Sequence, residues 1–158
     1  MNRVSLRKLK DCDISMIEKW LYKEHVAKWY TEPIDWLHEI MNRDTEYNWI
    51  KHFIVEAEGV PIGFCQYYDY ACSEETWHGS MDVQSTYSID YLIGETDYLG
   101  RGMGTSIVLN LVNEIQNNAA AKKIIVQPEP ENKASRNTLL SAGFLYNAEN
   151  DVYYKEIA

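Results

Sequence analysis

The run Gly100-Arg101-Gly102-Met103-Gly104-Thr105 limits what this chain can build more than any other feature. Residues 81–93, before it, read as a long strand. Tyr87, Ile89, Tyr91 and Ile93 fall on one face, and Ser88, Asp90 and Leu92 on the other. Behind the run, Ile107, Val108, Leu111, Val112 and Ile115 share a helix face. Glycines between a strand and a helix let the backbone approach a ligand closely, and the helix start leaves N–H groups free. Such a site holds phosphate or pyrophosphate; a glycine-rich helix start without a ligand is the plainer alternative. The spacing is GxGxG, not GxGxxG, and no acidic residue follows a second strand about 20 residues on, which disfavours a dinucleotide fold. No Gly-Lys-Ser/Thr occurs, so the run is not a nucleoside-triphosphate loop.

The rest of the chain supplies elements around this unit. Residues 4–9 read as a first strand, and Asp13 can cap a helix carrying Ile14, Ile17 and Leu21. Residues 24–43 read as helix in two pieces, with Pro33 in the first turn of the second. Residues 53–57 and 62–68 form two strands joined by a short link, followed by an acidic loop over 69–79. After the central helix, which stops near Asn117-Asn118, residues 123–126 make a short buried strand. Asn132 can cap a last helix that Gly143 ends, and residues 144–146 and 152–155 close the chain as a hairpin. The expected class is α/β (α+β): a mixed, mostly antiparallel sheet flanked by helices, in one domain over residues 1–158.

Composition narrows the partners. Fifteen Lys and Arg against 24 Asp and Glu leave a charge of −9. That balance disfavours nucleic acid and suits a cationic small molecule or basic peptide, or serves solubility alone. No apolar run approaches the ~20 residues of a membrane span, and residues 1–8 lack a signal core, so a cytoplasmic protein is expected. The three cysteines form no CxxC pair and the four histidines show no ligand spacing, so no metal is expected. Five Trp and twelve Tyr offer flat walls with polar handles.

Two motifs together resemble the GNAT superfamily of N-acetyltransferases. The segment Tyr98 to Val108 is similar to its coenzyme A pyrophosphate loop, Q/R-x-x-G-x-G/A. Asn132-Lys133-Ala134 through Ala142-Gly143-Phe144 is similar to its later N-x-x-A…x-G-F motif. Within the superfamily, four stretches resemble the aminoglycoside 6′-N-acetyltransferases: His25 to Tyr30, Val60 to Tyr68, Ser88-Ile89-Asp90, and Val126 to Asn132. Leu99 stands where the wider superfamily has Gln or Arg, Gln127 replaces an Asp, and Leu139 falls where many relatives carry a Tyr acid.

The resemblance implies acetyl transfer from acetyl-coenzyme A to an amine of an aminoglycoside, at the 6′ position, without a metal. Siderophore precursors, polyamines and protein N-termini are alternative acceptors, and a non-catalytic coenzyme A sensor is an alternative class. Monomer and homodimer are both open. Leu99, Gly100, Arg101, Gly102, Met103, Gly104 and Thr105 would hold the pyrophosphate. Tyr91, Leu92 and Ile93 would pair with the pantetheine arm, with the Leu92 N–H polarising the acetyl carbonyl. Asn132 would contact the coenzyme arm or only cap its helix. Asp90 would be the base or an ammonium anchor. Trp29, Asp69, Trp77 and Asp151 would line the acceptor site, with Glu74, Glu75 and Asp82 near its loop. A Tyr at position 139 would be accommodated, and Cys65 is read as a buried strand residue.

Overall fold

The computed structural model describes residues 3–157. Among these residues seven strands form one sheet in the order β1-β2-β3-β4-β5-β7-β6. They are β1 (Ser5–Lys8), β2 (Ile50–Ala57), β3 (Val60–Asp69), β4 (Thr86–Ile93), β5 (Lys123–Val126), β6 (Leu145–Asn147) and β7 (Val152–Glu156). The pairings are antiparallel except β4 with β5. That parallel pair follows from the crossover through α5 (Met103–Asn118), since parallel neighbours need a long connection.

Alternation along the strands gives each sheet face its own core. On one face α1 (Ile14–Leu21), α2 (Glu24–Ala27) and α3 (Pro33–Met41) pack Ile17, Trp20 and Ile40 against Ile54, Phe64 and Leu92. On the other, α5 and α6 (Lys133–Ser141) pack Ile107, Leu111 and Leu139 against Cys65, Ile89 and Ile124. Among the described residues no helix is long and apolar enough to cross a membrane.

Several boundaries differ from the sequence reading. β4 begins at Thr86, because residues 81–85 are spent on a turn in which the Gln84 N–H bonds to Asp82 and Ser85 has a φ of 53°. The expected loop over 69–79 opens with a helical turn, α4 (Tyr70–Ser73), whose Ala71 N–H bonds to Asp69. Asp13 does not cap α1. It accepts the Lys10 N–H at 2.8 Å and two Arg7 N–H bonds at 2.8 Å, tying β1 to the first helix. Asn132 does cap α6, accepting the Ser135 N–H at 3.1 Å, and Gly143 follows with a φ of 92°.

Candidate active site

The site arises where β4 and β5 part. Their pairing covers only Thr86↔Lys123 and Tyr87↔Ile124. Beyond Tyr87 the edge of β4 faces a cleft instead of a strand. Backbone groups of successive strand residues alternate in direction, so Tyr91 and Ile93 present theirs to the cleft. The Tyr30 hydroxyl bridges the Tyr91 carbonyl and N–H, accepting the latter at 3.1 Å. His25 Nε2 bonds the Ile93 carbonyl at 2.8 Å.

Leu92 departs from its expected role. Its side chain lies in the core beneath α1 and α3. Its carbonyl oxygen is turned toward β3, where a Cβ on Gly63 would collide with it. The Leu92 N–H shares that direction, so the donor on the cleft edge is the Ile93 N–H.

Opposite β4 lies the glycine run. Gly100 and Gly102 have φ of 69° and 76°, values that L side chains adopt at a cost. Gly102 immediately precedes α5 and turns the first N–H groups of that helix outward. Gly104 serves packing as well: a Cβ there would meet the Thr138 hydroxyl of α6 at 3.3 Å. Between these elements is a cavity of about 410 Å³. Tyr91, Leu92, Ile93, Leu99, Gly100, Gly102, Met103, Gly104, Thr105 and Asn132 all border it. Arg101 turns away, stacking on Tyr98 and bonding the Asp97 carbonyl. The Tyr91 hydroxyl reaches Ser135 at 2.7 Å, and burial pushes this phenol up to about 12, so it keeps its proton. A helix start bared by left-handed glycines fits a pyrophosphate, and a strand edge that no neighbouring strand covers, with the Ile93 N–H turned to the cleft, fits an amide-bearing arm.

A Gly102→Val variant should bind coenzyme A about 10-fold or more weakly. A branched side chain is strained at positive φ by about 1–3 kcal/mol, and its Cβ would press on the Arg3 guanidinium at 3.0 Å, so the turn that bares the helix start must shift. Calorimetric titration with coenzyme A checks this; a folded variant with parental affinity contradicts it.

A second cavity, about 250 Å³, lies beside the first on the α1–α3 face. Asp90, next in chain to Tyr91, fronts it together with Gln66 and Tyr68 of β3. Trp36 and Glu39 come from α3, Trp49 and Ile50 from the turn into β2 and its first residue, and Ser73 and Glu75 from α4 and its exit. Trp36 meets Tyr30 edge-on at 5.1 Å, so this aromatic pair stands between the cavities. Trp49 meets Tyr68 edge-on at 5.9 Å, and the Tyr68 hydroxyl donates to Glu75 at 2.8 Å. Gln66 Nε2 donates to Asp90 Oδ2 at 3.0 Å. Burial raises the Asp90 carboxyl to about 7, against the Gln66 hydrogen bond and with help from Glu75 and Glu39. Burial also raises Glu39, reinforced by Glu75.

The other expected acceptor residues lie elsewhere. Trp29 borders the larger, glycine-lined cleft and takes Lys28 on its ring. Asp69 caps α4. Trp77 packs edge-on against buried Tyr70 at 4.8 Å. Asp151 sits in the closing hairpin, accepting the Tyr146 hydroxyl at 2.7 Å. Asp82 is held in the turn before β4. Of the acidic loop, Glu75 reaches the cavity. Sequence reasoning missed Trp36, Glu39, Trp49 and Gln66. The i, i+3 spacing of Trp36 and Glu39 on one helix face was the available signal.

Leu139 is fully buried in the core beneath α5. Its neighbours are packed core side chains, so a tyrosine there adds volume to a filled core, unlike the accommodation the sequence reading expected. Leu139→Tyr should destabilise by about 1–3 kcal/mol, the usual cost of overpacking. Chemical denaturation checks this; an unchanged midpoint contradicts it.

Residues 10–152 match the family described as the acetyltransferase (GNAT) domain. The aminoglycoside N(6′)-acetyltransferase type 1 of Klebsiella pneumoniae is 26% identical over 151 residues, covering 89% of this chain and 73% of that protein. The crystal structure of aminoglycoside acetyltransferase AAC(6′)-Ib in complex with coenzyme A and kanamycin superposes with a TM-score of 0.82 at 24% identity, covering 97% of this chain and 94% of that one. Spermidine N-acetyltransferase from Vibrio cholerae, in complex with coenzyme A and spermine, gives 0.75 at 17% identity, covering 99% and 96%.

Proposed function

The chain belongs to the GNAT acetyltransferase family, and from that premise we propose that it transfers an acetyl group from acetyl-coenzyme A to an amine of an aminoglycoside, the 6′-amine. One observation carries the acceptor class: three carboxylates, Glu39, Glu75 and Asp90, share a small cavity with Trp36, Trp49 and Tyr68, next to the glycine-lined cleft. Several carboxylates in one pocket suit a molecule with several ammonium groups, and flat rings suit the faces of sugars. The relatives named for aminoglycoside acetylation support the same reading. The protein would work as one cytoplasmic catalytic domain on a cationic small molecule.

Each residue then has a task. The N–H groups at the start of α5 hold the coenzyme pyrophosphate. The Tyr91–Ile93 edge aligns the pantetheine arm, and the Ile93 N–H polarises the acetyl carbonyl. Asp90 takes the proton of the attacking amine; a carboxyl raised to about 7 is matched to that work near neutral pH. With Leu139 sealed in the core, the coenzyme thiolate leaves without a phenol from α6, as a good leaving group can.

Thiol release from acetyl-coenzyme A, measured against kanamycin-like, spermidine-like and peptide amines, tests the reading. Turnover is expected with the kanamycin-like acceptors. Preference for spermidine would move the acceptor class to polyamines, and coenzyme binding without turnover on any amine would leave a sensor.

A further inference from the structure

Among the described residues, the buried side-chain polar atoms without a hydrogen-bond partner are His52 Nδ1, His52 Nε2 and Gln66 Oε1. They belong to direct neighbours. The β2–β3 register sets His52 opposite Gln66, and the β3–β4 register sets Gln66 opposite Asp90. The three side chains therefore form a polar row across one sheet face, with Asp90 at its cavity end. His52 and Gln66 are only 5% and 2% exposed. The His52 ring stacks on Phe64 at 6.0 Å.

We propose that His52 is a positioning residue for Asp90: its ring N–H serves Gln66 Oε1 and so keeps the Gln66 NH2 group on the Asp90 carboxylate. This rests on Asp90 as the proton acceptor. A primary amide offers an acceptor at one end and donors at the other, and it can flip. With the NH2 toward Asp90 it favours the ionised carboxylate. With the oxygen toward Asp90 it favours the protonated acid, which is the wrong state for a base. An ionised Asp90 takes the NH2 end, but a protonated Asp90 can pair with either end, so β4 alone does not hold the amide once the carboxyl is protonated. A donor on the far side of Gln66 does, and His52 is the polar group there. Directly paired residues have Cβ atoms about 4.5–5.5 Å apart, a gap that a small side-chain turn or one water spans. A buried acceptor left orphaned is costly, so serving it holds the amide in one orientation.

The ring must be neutral to offer one donor and one acceptor. Burial, then Arg43, lowers His52 to about 4. Lys8, Arg43 and Lys51 border the same notch at the sheet edge, and Asp44 opposes them. The charged groups facing Asp90 are Glu39 of α3 and Glu75 beyond α4, with the Tyr30 and Tyr68 phenols alongside.

The test compares His52→Phe, which keeps a ring and loses the N–H, with His52→Gln, which restores a donor. The acidic limb of kcat/KM for the amine should rise by about half to one pH unit in His52→Phe. It should stay near the parental value in His52→Gln, and the KM for acetyl-coenzyme A should not change in either. An unmoved limb in folded His52→Phe, or equal shifts in both variants, overturns the proposal. Long-range proton–nitrogen NMR of the parent at pH 7 decides independently of folding or turnover. A single neutral His52 tautomer is expected, and a mixture of both tautomers overturns the proposal. If the parent acetylates no amine, the proposed function fails while this spectrum still reports on the row.

Discussion

Asp90→Asn should lower kcat by about 10²–10⁴-fold, the usual cost of losing a general base, and leave coenzyme affinity unchanged. The substitution keeps the size of the side chain and removes its charge and with it the proton acceptor. The parent should lose activity as pH falls through about 7, because burial raises the Asp90 carboxyl to that value and the base must be ionised to work. That acidic limb should vanish in the variant. A variant with parental kcat and a raised KM would make Asp90 an ammonium anchor, since lost uniform binding appears in KM alone.

Glu39→Gln should raise the acceptor KM by about 10-fold or more, as a partly buried charged hydrogen bond is worth about 1.5–3 kcal/mol. Glu75→Gln should have a smaller effect on KM, because Glu75 is exposed and solvent screens it. Both carboxylates also push the Asp90 carboxyl upward. Removing either therefore relieves repulsion and should move the acidic limb to lower pH. Added salt should raise the parental KM, since charge attraction in an open cavity is screened over about 8–10 Å. Acceptor kinetics in the single and double variants check these effects. An unchanged KM in the double variant would remove the carboxylates from acceptor recognition.

The two halves of the site were unequally legible in the sequence. The glycine run, the strand before it and the Asn132 cap are contiguous, so their chemistry and geometry sit in the same few residues. The strand faces of β4 were legible too, because alternation alone puts Asp90 and Leu92 on the face opposite Tyr91. The direction of the Leu92 amide was not. Which way a strand's N–H points depends on the side from which its neighbour pairs, and that is a matter of topology. The carboxylate-lined cavity was hidden for the same reason. Trp36, Glu39 and Trp49 lie far along the chain from Asp90, and only the β2–β3–β4 pairing with α3 laid across it brings them together. Conversely, Asp69, Trp77 and Asp151 had the right chemistry, but the fold uses them locally, in a helix cap, an aromatic pair and a hairpin. Leu139 shows the same limit: its position in a motif gave no sign that it faces the core.

The most direct measurement is to let the protein acetylate a kanamycin-like acceptor and locate the acetyl group by NMR of the purified product. A single acetyl group on the 6′-amine is expected, formed with stoichiometric release of coenzyme A. No acetylated product, or an acetyl group on a hydroxyl or on spermidine alone, would contradict it.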